Sequence, residues 1–217
     1  MNQCKIILAD DHVLLRDALC NLINSFDECK VISSVGNGHE LISAFSNGIK
    51  PDMVILDLNM PKMDGFEASQ WLYQHHPDVN IVVLTMYDSE IALIRLLKSG
   101  VKGFLKKDIH PADLRYALQA VAQNGYYYSH DTTGKLATLF QKSAQNHHYI
   151  EKAMLSDQEV TFLRLASTDL TYKEIAAKLK LTPRAIDGYR DALFEKLDVK
   201  SRVGLAIYAV KNGIVTF

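Results

Sequence analysis

A chain of 217 residues, 48% hydrophobic and 23% charged, has the composition of a folded globular protein, which excludes a disordered one, and its length suits two domains. No apolar run reaches the eighteen or so residues of a membrane span. The net charge of −1 gives the whole chain no nucleic-acid signature. The halves differ, however: residues 1 to 149 carry 13 Lys and Arg against 16 Asp and Glu, and residues 150 to 217 carry 11 against 9.

The short apolar run Ile6–Ala9 follows Met1–Lys5 and meets two aspartates at once, so it reads as a strand and not a secretion signal; the expected location is cytoplasmic. Cys4, Cys20 and Cys29 are odd in number and lack C-x-x-C spacing, the pattern of buried reduced thiols.

Lys5–Ala9 reads as a buried strand and Val13–Phe26 as a helix with Leu15, Leu19, Leu22 and Phe26 on one face. Val31–Val35 is a second strand and Asn37–Phe45 a helix. Met53–Leu56 is a third strand, continuous in apolar residues as strands covered on both faces are. Gly65–Tyr73 is helical until Pro77 breaks the pattern, and Ile81–Leu84 is a fourth strand ending at Thr85. Ser89–Lys98 is a helix stopped by Gly100, and Gly103–Leu105 a fifth strand ending in Lys106–Lys107. Pro111 opens a helix running to about Asn124. Five strands alternating with five helices imply a doubly wound five-stranded parallel sheet, whose crossovers bring all strand ends to one edge. That edge collects Asp10, Asp11, Asp57, Thr85 and Lys107.

Any one of these residues alone is an ordinary turn or cap residue; together they supply one reaction. Clustered carboxylates repel unless a hard cation neutralises them, and Mg2+ suits such oxygens. A carboxylate can attack a phosphoryl group, whose oxygens then need positive charge and donors around them. The pattern Asp57-Leu58-Asn59-Met60-Pro61, followed by Asp64-Gly65, Leu84-Thr85 and Gly103-Phe104-Leu105-Lys106-Lys107, resembles the receiver domain of two-component response regulators, a flavodoxin-like fold. The resemblance implies that Asp57 is the phosphoacceptor and that Asp11 and Asp57 bind Mg2+. In it Asp10 holds a liganded water and the Asn59 carbonyl completes the shell. It also implies that Lys107, rather than Lys106, meets the phosphoryl group, and that Thr85 and Phe104 form a switch pair. Met86 stands where a small residue is common and is expected to restrict the ring movement or access to Asp57.

Residues 126–150 lose periodicity apart from Leu136, Leu139 and Phe140 and read as a linker with one short helix; His147–His148 reads as part of that connector, not a metal site. Beyond it, Ser156-Asp157-Gln158-Glu159 and Thr171-Tyr172-Lys173-Glu174 are capping boxes. Thr182–Pro183 opens a third helix to Lys196, and Ser201 a fourth that Gly213 ends. The two-residue joint Lys180–Leu181 suits a helix-turn-helix unit in a small all-α four-helix domain. Lys173-Glu174-Ile175-Ala176, Leu179, Thr182, Ala185-Ile186, Lys196-Leu197 and Val199-Lys200-Ser201-Arg202 resemble the LuxR-type DNA-binding domain. With the receiver they point to the NarL/FixJ class of response regulators. Implied DNA-contacting residues are Lys173, Thr182, Arg184, Asp187, Tyr189, Arg190, Lys196, Lys200 and Arg202, with Asp187, Gly188 and Asp191 where relatives carry basic or polar residues, and Tyr189 in place of a common histidine.

The domains expected are a receiver over 1–125, a linker over 126–150 and a DNA-binding domain over 151–217. The expected function is a transcriptional response regulator, not an enzyme, phosphorylated at Asp57 by a sensor histidine kinase and acting on double-stranded DNA as a homodimer. A regulator that ignores phosphorylation is the rival. An output-less receiver is contradicted by residues 155–213; a phosphohydrolase using the same chemistry needs an acid where Asn59 stands.

Overall fold

The computed structural model describes residues 3–86, 90–145, 155–212 and 214–215. They fall into two compact units, the first holding most residues up to 136 and the second most of those after it. No helix among the described residues is long and apolar enough to cross a membrane.

The first unit is built on a parallel sheet of β1 (Cys4–Ala9), β2 (Cys29–Val35), β3 (Met53–Leu56), β4 (Asn80–Thr85), β5 (Gly103–Lys106) and β6 (Tyr127–Tyr128), in the order β2-β1-β3-β4-β5-β6. Helices α1 (Val13–Asn24), α2 (Gly38–Ser46), α3 (Gly65–His75), α4 (Glu90–Lys98) and α5 (Pro111–Asn124) make the crossovers. Ile6–Ala9 and all of β3 are buried, as strands covered on both faces must be. The outer strand β2 alternates instead, so its apolar pattern is only half visible in sequence.

The sheet has six strands where five were expected. Two residues are too few to show a period, so the tyrosine run Tyr126–Tyr128 carries no readable strand signal. Its pairing comes from the fold: Tyr127 N–H donates to Lys102 O at 2.8 Å, and the Tyr128 hydroxyl donates to Val101 O at 2.9 Å. The following helix α6 (His130–Gln145) is sixteen residues long, longer than the short helix read around Leu136. His147 and His148 lie outside the described residues, as does Gly213.

The second unit holds α7 (Asp157–Ala166), α8 (Tyr172–Leu179), α9 (Pro183–Lys196) and α10 (Arg202–Lys211). Both capping boxes close: the Ser156 and Thr171 hydroxyls accept from Glu159 and Glu174 N–H, whose carboxylates accept in return. Thr182 accepts from Ala185 N–H at 3.2 Å with Pro183 next to it. Each such cap stabilises its helix by about 1 kcal/mol. Between α8 and α9 the chain reverses at Lys180, a left-handed residue with φ 55°. Phe162, Leu163, Ile175, Ile186, Leu193 and Leu205 form the sealed core.

Candidate functional site

The register of β1 with β3 sets the first site. Ala9 pairs with Leu56, so Asp10 and Asp57 leave their strands at the same level, and Asp57 N–H donates to Ala9 O at 2.8 Å. Helix α3 begins hard against this point. A Cβ on Gly65 would sit 2.2 Å from the Asp57 carbonyl oxygen, so no larger residue fits there. On the far side, Lys107 N–H donates to Thr85 O at 2.9 Å, which carries the lysine from β5 over the same edge.

Lys107 Nζ lies 2.8 Å from both Asp10 Oδ2 and Asp57 Oδ2, and all three side chains are buried. Lys106 instead lies 3.4 Å from Asp131. Burial pushes the Asp57 carboxyl above the usual range, opposed by the Lys107 ammonium. For Lys107, burial alone pulls downward, but its bonds to the two aspartates outweigh it and the net shift is upward. Asp11 adds a further carboxylate to the cluster.

Neither Asp57 oxygen nor Asp11 Oδ1 closes a well-directed hydrogen bond within the protein. Oxygen atoms of Asp10, Asp11 and Asp57, with a nitrogen of His12, lie within 4.8 Å of one another. Under-coordinated, predominantly oxygen donors with surplus negative charge fit a hard divalent cation. His12 was not singled out in the sequence; its Nδ1 stands 2.9 Å from Asp11 Oδ1. The only sequence signal was its place directly after the two aspartates. Asn59 is half-buried two residues past Asp57. Thr85 is buried as the last residue of β4, and Phe104 is buried within β5. Met86 is 70% exposed.

In the second unit the residues expected to touch DNA divide by partner. Lys173, Arg184, Asp187 and Lys200 are exposed; Thr182 caps α9. Tyr189 stacks on Phe162 at 6.1 Å between centroids and its hydroxyl donates to Gln158. Lys196 donates to both carboxylate oxygens of Glu159 at 2.8 Å. Arg202 donates to Ala166 O at 2.8 Å and Thr168 O at 2.7 Å, binding α10 to the end of α7. Arg190 is held at 2.9 Å by Asp187 and by Asp191, with Tyr172 5.6 Å from its guanidinium carbon.

Residues 6–119 match the response regulator receiver domain and residues 153–209 the luxR family of bacterial regulatory proteins. Response regulator GacA of Pseudomonas syringae is 30% identical, with 97% of each chain covered. Oxygen regulatory protein NreC of Staphylococcus epidermidis is 30% identical over 98% of this chain and 100% of its own. RcsB of Salmonella enterica serovar Typhimurium, solved bound to promoter rprA with the phosphomimetic BeF3−, superposes with a TM-score of 0.68 at 25% identity, over 95% of this chain and 98% of that one.

Proposed function

The chain belongs to the response regulators that join a receiver domain to a luxR-type DNA-binding domain, and on that premise we propose that phosphorylation of Asp57 by a sensor histidine kinase controls its hold on double-stranded DNA. It is a transcription regulator of a two-component system and not an enzyme. The receiver spans 1–125, with Tyr127–Tyr128 of the connector 126–150 completing its sheet, the DNA-binding domain spans 151–217, and the protein acts in the cytoplasm.

In the transfer, an Asp57 carboxylate oxygen attacks the phosphorus of the kinase phosphohistidine, the P–N bond breaks and the imidazole leaves with that electron pair. Asp10, Asp11, Asp57 and the Asn59 carbonyl would hold Mg2+, which would supply positive charge to neutralise phosphoryl oxygens. Lys107 is already within hydrogen-bond distance of Asp57, so its ammonium needs little movement to meet a new phosphoryl oxygen. Thr85 donates its hydroxyl to the same group, and Phe104 turns into the space vacated. Packed elements have discrete arrangements, so this small change alters the surface beside β4 and β5.

On DNA, Lys173, Arg184 and Lys200 supply phosphate contacts, supported by their exposure, and Thr182 presents the start of α9 to the groove. Asp187 faces base edges, while Tyr189 reaches them only by leaving Phe162 and Gln158. Lys196, Arg190 and Arg202 reach phosphate only by leaving the partners described above. The modest charge excess of residues 150 to 217, 11 Lys and Arg against 9 Asp and Glu, makes a single domain a weak binder, which favours a homodimer on two half-sites.

The observation that carries the proposal is Lys107 lodged between Asp10 and Asp57 beside under-coordinated carboxylate oxygens. Beryllofluoride with Mg2+ is expected to drive dimerisation, read by light scattering, and to tighten binding to a pool of mixed-sequence duplexes. Asp57→Ala is expected to lose both responses. Equal behaviour of the two proteins would show a receiver that acts independently of phosphorylation.

A further inference from the structure

Arg184, Asp187, Gly188 and Asp191 recur at i, i+3, i+4 and i+7 on α9, and all four are exposed. The outward stripe of the helix that would enter the groove thus shows one cation followed by two carboxylates around a bare glycine. Arg190 beside them is tied to both: Nη1 meets Asp187 Oδ1 at 2.9 Å, while Nε and Nη2 form a fork on Asp191 Oδ1, each at 2.9 Å. Gly188 has no structural reason to lack a side chain, since a Cβ there would meet nothing within 4 Å. Helix-interior glycine costs about 1 kcal/mol against alanine. A duplex seated on this stripe would find bare backbone at this point.

We propose that Asp187 and Asp191 are specificity determinants that withdraw Arg190 from the DNA backbone, so that sequence-independent affinity is held low. This rests on the DNA-binding function proposed above. Most non-specific affinity comes from cations at phosphates. A guanidinium already shared by two carboxylates on its own helix releases few counterions on meeting one. The carboxylates themselves are repelled by phosphate and are satisfied in the major groove only by an amino donor such as that of cytosine. Together they penalise every register except one that places such donors opposite the stripe.

The test uses the full chain activated with beryllofluoride and Mg2+, and fluorescence anisotropy on a randomised duplex of about 30 base pairs over a salt series. Asp187→Asn with Asp191→Asn keeps shape and removes the charges. It is expected to tighten binding roughly tenfold, the scale of one charge-assisted contact per domain. The plot of log affinity against log salt is expected to steepen by about 0.9 per phosphate gained. Adding Arg190→Ala to the double variant is expected to cancel the gain, while Arg190→Ala alone in the parent is expected to change little. The inference is overturned if the double variant binds as the parent does, or if its gain survives Arg190→Ala, which would make the aspartates simple repellers. Failure of every protein, parent included, to bind any duplex would overturn the DNA-binding proposal along with it. Far-ultraviolet circular dichroism confirms that α9 is intact in each variant.

Discussion

Each unit of the molecule holds one cation between two aspartates, and the two trios differ in what surrounds them. Lys107, Asp10 and Asp57 come from three strand ends and are at most 8% exposed. Arg190, Asp187 and Asp191 come from successive turns of one helix and are 29% to 65% exposed. Water and salt screen the second trio, so its bonds are cheap to exchange for others. The first trio has no such screen; whatever replaces one of its bonds must match the charge it displaces. On the proposals above, one arrangement would store a state and the other set a threshold, although both are made of the same two kinds of charge.

Removing the buried cation would test that contrast hardest. Lys107→Met is expected to lower unfolding stability by about 3 kcal/mol in urea at about pH 8 without divalent metal, since it leaves Asp10 and Asp57 facing each other without their shared cation. The deficit is expected to narrow as the pH falls. Asp57 has its carboxyl raised by burial, so its cost to folding is full above its folded-state pKa, falls as the pH drops through that value and is gone below the unfolded-state pKa. A deficit that grew toward acid would break the comparison.

Gly65→Ala comes next. A Cβ 2.2 Å from the Asp57 carbonyl forces α3 or the end of β3 to shift, at about 2 kcal/mol, and the dimerisation response to beryllofluoride is expected to disappear with it. The exposed trio gives the smallest change: Arg190→Ala is expected to cost no more than about 0.5 kcal/mol of stability. A loss matching that of Lys107→Met would mean that the surface clamp holds the fold together.

How far each feature was legible follows from the distance over which it is made. Strands β1, β3, β4 and β5 show in sequence because burial on both faces demands unbroken apolar runs such as Val54–Leu56, β2 shows only by its alternation, and the helix starts show because capping residues act within three positions. The choice of Lys107 over Lys106 came from resemblance, and opposite directions of neighbouring side chains explain why one faces Asp57 and the other Asp131. Strand β6 was missed because two residues carry no period. The partners of Lys196 and Arg202 were missed because Glu159 and Ala166 lie on another helix, and no local pattern announces a bond of that reach. The tie on Arg190 is local, yet the spacing Asp187, Arg190, Asp191 reads equally as three solvated charges until the rotamers are known.

The two-residue strand β6 pairs with Gly103 and Phe104 of β5. An uncovered β5 would present a row of unpaired backbone donors and acceptors, the kind of template on which another chain can add a strand and begin to aggregate. With Tyr127 and Tyr128 in place the sheet ends in a strand too short to extend that template. The tyrosine run thus bears on solubility in a crowded cell as much as on the architecture of the receiver.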